Sequence, residues 1–211
     1  DISNPFFPLL ARGAEAAARA AGYTVILGNS DEEFEEEDAF LRAVCALRVD
    51  GVLLAPCGRR SRASLELLAR QHIPVVLIDR DVDGIPNDVV RGESRRSAGL
   101  LTEHLIRHGH RRIGLITGPV DVSTARERER GYRDALHEHD LEAPPRLTQR
   151  APYTRLGGHR AGLNLLSQMD RPTAVVTANN FLGFGLIDAA RELDLRVPED
   201  LAIVTFDDVE I

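Results

Sequence analysis

The chain has 211 residues, 43% of them hydrophobic, and a formal net charge of −7. That length can bury a substantial core in one large domain or two small ones, and no stretch approaches the ~20 apolar residues that span a bilayer. So acidic a chain is poorly matched to binding nucleic acid over its whole surface, because neutralising phosphates takes clustered Lys and Arg. The opening residues show no basic-then-apolar pattern of a signal peptide. The two cysteines, Cys45 and Cys57, lie far outside C-x-x-C spacing and suit a reducing cytosol, where buried Cys acts as a small hydrophobe. A cytoplasmic protein without a membrane partner is the expectation.

In chain order, Leu10, Ala14, Ala17, Ala18 and Ala21 keep helical spacing, and Gly22 follows as a stop. The apolar run Val25-Ile26-Leu27 reads as a strand. The acidic run from Asp31 to Asp38 reads as the solvated start of a helix, where carboxylates oppose the positive dipole end. Val52-Leu53-Leu54-Ala55 and Val75-Val76-Leu77-Ile78 are further strands. They are continuous rather than alternating, as expected of parallel strands buried on both faces. From Asp79 to Glu93 the pattern breaks into turn residues (Gly84, Pro86, Asn87, Gly92) around the short pair Val89-Val90. This stretch reads as a passage between lobes, giving one subdomain over 1–92 and a second over 93–211. The second repeats the alternation. Ala98, Leu101 and Leu105 line a helix face before Gly109, and Ile113 to Ile116, Ala174 to Val176 and Leu201 to Val204 are strands. Leu186, Ile187, Ala190 and Leu193 line a later helix. Strand-helix alternation of this kind predicts an α/β fold of two doubly wound, parallel-sheet lobes.

In such sheets ligands bind beyond the carboxyl ends of the strands. Those positions hold Asn29, Cys57, Asp79, Thr117-Gly118, Asn179-Asn180 and Asp207-Asp208; Asn and Asp also begin loops and cap helices for purely structural reasons. Asp79, Asp81, Asp83 and Gly84 open like a calcium loop, but the twelfth position is Val90 rather than a bidentate Glu. His108-Gly109-His110 fits a helix end with a left-handed glycine better than a metal site, because no Cys or third His stands at ligand spacing. No G-x-S-x-G elbow, P-loop or G-x-G-x-x-G occurs. The expectation is therefore no enzyme, no cofactor and no metal. Arg126, Arg128, Arg130 and Arg133 follow Ser123-Thr124. They read either as surface arginines on a capped helix or as a helix that directs one planar guanidinium at a ligand.

Several segments together resemble the LacI/GalR family of bacterial regulators. Asp1-Ile2-Ser3-Asn4-Pro5-Phe6-Phe7 resembles the loop after that family's first strand, and Gly22 to Ser30 its second strand. Arg48 to Val52 and Ile73 to Val76 resemble the next two. Gly109 to Ile113, Gly118-Pro119, Ser123-Thr124-Ala125-Arg126-Glu127-Arg128 and Arg171 to Val175 resemble the second lobe, and Leu195 to Leu201 with Phe206-Asp207-Asp208 its late strand. The resemblance implies a fold like type I periplasmic binding proteins, truncated here at both ends, with the first strand and a DNA-binding headpiece not in this sequence. It implies a homodimer; the helix containing Phe40, Val44 and Leu47 and the helix after Cys57, whose apolar positions one small lobe need not fully cover, are the expected seam. It also implies a small effector in a cleft, with operator DNA a partner only through the headpiece. By motif the effector contacts fall on Phe6, Phe7, Ser123, Arg126, Arg128, Tyr153, Asn179 and Asp207. An Arg, an Asn and an Asp framed by flat rings suit a sugar. The family's Asp-Asn at the lobe crossing is replaced by Glu93-Ser94, and Asn180 stands for its usual Asp. A periplasmic sugar-binding protein of an uptake system is the alternative that shares the fold.

Overall fold

The computed structural model describes residues 1–207; Asp208 lies outside them. The chain divides into two compact units, Asp1–Gly92 and Glu93–Ile211. Each is described by itself.

The first unit carries α1 (Phe6–Ala20), α2 (Phe34–Leu47), β1 (Val52–Leu54), α3 (Arg62–Arg70), β2 (Val75–Ile78) and β3 (Asp88–Val90). Its sheet has the order β1-β2-β3, all parallel, with Leu54 opposite Leu77 and Leu77 opposite Val89. Leu41 from α2, Leu65 and Leu68 from α3, and Leu54 and Leu77 from the strands form its core with Ile73 and Val82. Each such side chain contributes about 1.5–3 kcal/mol by leaving water.

Within the turn-rich stretch before the second unit, Val89-Val90 belongs to an edge strand paired in parallel with β2. One sequence expectation changes here. Val25-Ile26-Leu27 forms no strand, and Ile26 and Leu27 are each 60% exposed. That segment pairs with no strand among the described residues and lines, with β1, Leu10, Ala14 and Ala18, a cavity of about 560 Å³. Without a neighbour at hydrogen-bonding distance a strand has no ladder. Helix α1, amphipathic as its sequence is, has no buried residue.

The second unit runs α4 (Ser94–Arg107), β4 (Ile113–Thr117), α5 (Ser123–Glu138), β5 (Thr148–Arg150), α6 (Arg155–Leu166), β6 (Ala174–Thr177), α7 (Asn180–Glu192) and β7 (Ala202–Thr205). Its parallel sheet has the order β5-β4-β6-β7. Every residue of β4 and β6 is buried. Successive side chains of a strand point to opposite faces, and the packing follows. Ile116 and Val175 meet Leu165, Leu182 and Leu186 on one face; Ile113, Leu115 and Val176 meet Leu105, Tyr132 and Leu136 on the other. The hydroxyl of buried Tyr132 donates to the Ile113 carbonyl at 2.8 Å, so burial leaves that phenol paired.

Gly183-Phe184-Gly185, which resembles a fragment of a nucleotide loop, lies inside α7 and has a packing role. A Cβ on Gly185 would stand 2.1 Å from the Arg155 carbonyl oxygen, and one on Gly158 2.5 Å from that of Leu182. Helices α6 and α7 therefore meet backbone to backbone. The acidic run also departs from a wholly solvated face: Glu37 is 3% exposed, and its Oε2 accepts the Cys57 N–H at 2.7 Å. That bond ties α2 to the turn after β1.

Candidate ligand-binding rims

In the second unit β4, β6 and β7 end on Thr117, Thr177 and Thr205, with Thr177 opposite Thr205 and Ile116 opposite Thr177. The residues that follow form the carboxyl rim of the sheet, where doubly wound folds bind ligands. Asn179 caps α7, its Oδ1 accepting the Leu182 N–H at 3.0 Å. With the oxygen so engaged, the Nδ2 donors are what this buried side chain offers a ligand. Asn180 turns its own Oδ1 to the Phe181 N–H at 2.7 Å. Asp207 is half-buried directly beyond β7, with left-handed backbone at φ 65°.

Arg128 reaches this rim from α5. Its guanidinium carbon lies 4.2 Å from the centroid of the Phe206 ring, and Nη1 donates to the Ala178 carbonyl. Its Nε is buried and has no hydrogen-bond partner among the described residues. Stacking fixes the plane of the fork, and a fixed fork loses less entropy when it binds oxygens. Tyr153 reaches the same rim and packs over Gly118, just beyond β4. Gly118 makes that approach feasible, since a Cβ there would stand 2.3 Å from the tyrosine Cζ.

The remaining two residues behave differently. Ser123 is the first residue of α5 and is buried, but Val122 holds the cap position and no side chain caps the helix. The expected serine cap is thus absent. Arg126 donates to the Asp121 carbonyl at 3.1 Å, which braces the loop before α5.

In the first unit the rim is built from the turn after residue 29, the start of α1 and the end of β2. Phe6 and Phe7 pack edge to face, their centroids 5.3 Å apart. Buried Asn4 accepts the Phe6 N–H at 3.1 Å and so sets the start of the helix. Arg80, directly after β2, is 5% exposed and lies 6.0 Å from the Phe7 centroid. Cys57 on the same rim has its thiol pushed up to about 12, chiefly by burial; the Ser30 contact at 3.3 Å opposes this and the nearby Glu37 carboxylate adds to it. Among the described residues no group of three or more His, Cys, Asp or Glu could hold a metal ion.

Comparison with known proteins decides the family. Residues 102–211 match the model of a periplasmic binding protein-like domain. The ribose operon repressor of Escherichia coli K12 is 35% identical over 211 residues, which are 99% of this chain and 63% of that protein. A protein of Burkholderia thailandensis described as a ribose operon repressor superposes with a TM-score of 0.88 at 33% identity, covering 99% of this chain and 77% of its own. A LacI family transcriptional regulator of Mycobacterium smegmatis gives 0.84 at 34% identity, with 97% and 75% covered. The chain belongs to the LacI family of transcriptional regulators. It spans a little under two thirds of the repressor's length.

Within this LacI-family chain the structure brings Arg128, Tyr153, Asn179 and Asp207 to the rim of the second unit, and Phe6 and Phe7 to that of the first. Sequence reasoning missed Phe206, the platform under Arg128, and Arg80. The signal for both was adjacency: each stands directly beside an acid at a strand's carboxyl end, Asp207 and Asp79. No helix among the described residues is long and apolar enough to cross a membrane.

Proposed function

We propose that the chain is the effector-binding and dimerisation core of a LacI-type repressor, and that its effector is a sugar or a related polar metabolite. The observation that carries this is the stacked Arg128 fork, 4.2 Å from the ring of Phe206, the residue before Asp207. It offers donors and an acceptor on a flat apolar support, which is the chemistry a polyol needs. On the rim of the second unit Tyr153 supplies a ring face and Asn179 a donor pair; on that of the first unit Phe6 and Phe7 supply ring faces and Asp79 a carboxylate. Ser123 and Arg126 act from the start of α5, shaping its loop. Catalysis is not part of this reading.

Relatives named as ribose operon repressors favour a regulator over a periplasmic uptake protein, and favour a pentose among the sugars. In this reading the protein works in the cytoplasm, and operator DNA is contacted through a headpiece outside these 211 residues. It dimerises through α2 and α3, where Phe40 and Leu47 are 36% and 63% exposed on α2. A thermal-shift screen of pentoses, hexoses and nucleobases tests the ligand class. A sugar that raises the melting temperature supports it; stabilisation by nucleobases alone would replace it.

A further inference from the structure

The charge of Arg80 is consumed within the first unit. Its Nη1 and Nη2 donate to the two carboxylate oxygens of Glu32 at 2.5 and 2.7 Å, a bidentate pair. Nη1 also donates to the Pro56 carbonyl at 3.2 Å, and Nε lies 3.6 Å from Asp79 Oδ2. The Arg80 side chain is 6% exposed, whereas that of Glu32 is 27% exposed. What a ligand meets at this rim is thus the carboxylate, with the guanidinium behind it.

The backbone is bent to make this arrangement. Asp31, Glu32 and Asp79 all have left-handed backbone, at φ 50°, 66° and 63°. Non-glycine residues are uncommon there, Asp less so than most. The turn at 31–32 is closed by the Glu33 N–H on the Ser30 carbonyl at 2.8 Å and by the Asn29 side chain on Asp31 at 2.7 Å. It carries Glu32 across to the end of β2. The Glu32 carboxylate thus covers the Arg80 fork, a group at this rim that could receive an anion.

We infer that Glu32 is a specificity-determining residue that closes the first-unit rim to anions, so that the effector presents a neutral, hydroxyl-bearing end there and not a phosphate or carboxylate. This rests on the reading of the rim as an effector contact. A hydroxyl donates to an ionised carboxylate in a charge-assisted bond. A phosphate would face like charge, while the fork that would otherwise receive it is occupied.

The test uses this chain with inorganic phosphate, D-ribose and D-ribose 5-phosphate as probes, read by calorimetry and ³¹P NMR. Wild type is expected to bind phosphate no better than an Arg80→Met variant does. Glu32→Gln, which removes the charge, is expected to bind phosphate at least tenfold tighter than wild type, and Glu32→Gln/Arg80→Met to lose that gain. Glu32→Asp, which withdraws the carboxylate from the fork, should gain in the same direction and serves if Glu32→Gln fails to fold. Phosphate binding by wild type that depends on Arg80 would overturn the inference. So would folded Glu32 variants with no gain. If neither sugar binds any variant, ribose is not the effector, and the phosphate comparison still decides the role of Glu32. If ribose binds, wild type should prefer it to its phosphate and Glu32→Gln should narrow that preference.

Discussion

The guanidinium of Arg128 lies 4.2 Å from the centroid of the Phe206 ring. The two residues come from different elements, α5 and the end of β7, and their contact ties the helix to the rim. If the ring acts as a platform, Phe206→Leu keeps apolar bulk and removes the π face. A cation–π contact of this kind is worth about 0.5–2 kcal/mol, so effector affinity should fall by roughly threefold to thirtyfold. Calorimetry on the two proteins, with circular dichroism to confirm an unchanged fold, measures it.

The backbone contact between α6 and α7 predicts opposite outcomes for two glycines. Gly185→Ala would place a Cβ 2.1 Å from the Arg155 carbonyl oxygen, and the helices must separate at a cost of about 1–3 kcal/mol. Gly13 lies exposed inside α1 with nothing within 4 Å of an added Cβ. Gly13→Ala should stabilise its helix by up to about 1 kcal/mol. Urea denaturation of the three proteins reads both changes.

Cys57 should resist alkylation. Its thiol is pushed up to about 12, first by burial, and a raised value means that the thiolate, the reactive form, is scarce at neutral pH. At pH 8 about one molecule in ten thousand carries the thiolate by the ordinary titration curve. Labelling with iodoacetamide followed by mass spectrometry should therefore leave Cys57 largely unmodified at pH 8, with reaction speeding up as pH rises. Rapid labelling in the folded protein at pH 8 would contradict this environment.

Much of the fold was legible because buried parallel strands leave continuous apolar runs. Val52 to Leu54, Val75 to Ile78, Ile113 to Thr117, Ala174 to Thr177 and Ala202 to Thr205 all lie on or beside such runs. The run at Val25 to Leu27 failed because strand formation needs a partner, and apolar character alone cannot say whether one is there. At the sites, polar residues after each run marked the rims. What could not be read was which partner each side chain takes. Ser123-Thr124 looked like a capped helix start, but Val122 holds the cap position; Arg126 donates to the Asp121 carbonyl in the loop before its own helix. Glu37 sat in a charge run, yet closes a buried hydrogen bond 20 residues away in sequence. Such pairings depend on tertiary neighbours, which spacing along the chain does not encode.

The central claim is that Arg128 is an effector contact and not a surface arginine. Its most direct test is calorimetry of wild type and Arg128→Ala with the sugar that most stabilises the wild-type chain. For a charge-assisted hydrogen bond the loss should be about 1.5–3 kcal/mol, or at least about tenfold in Kd, with the melting temperature of the ligand-free protein nearly unchanged. Equal affinities for the two proteins would contradict it.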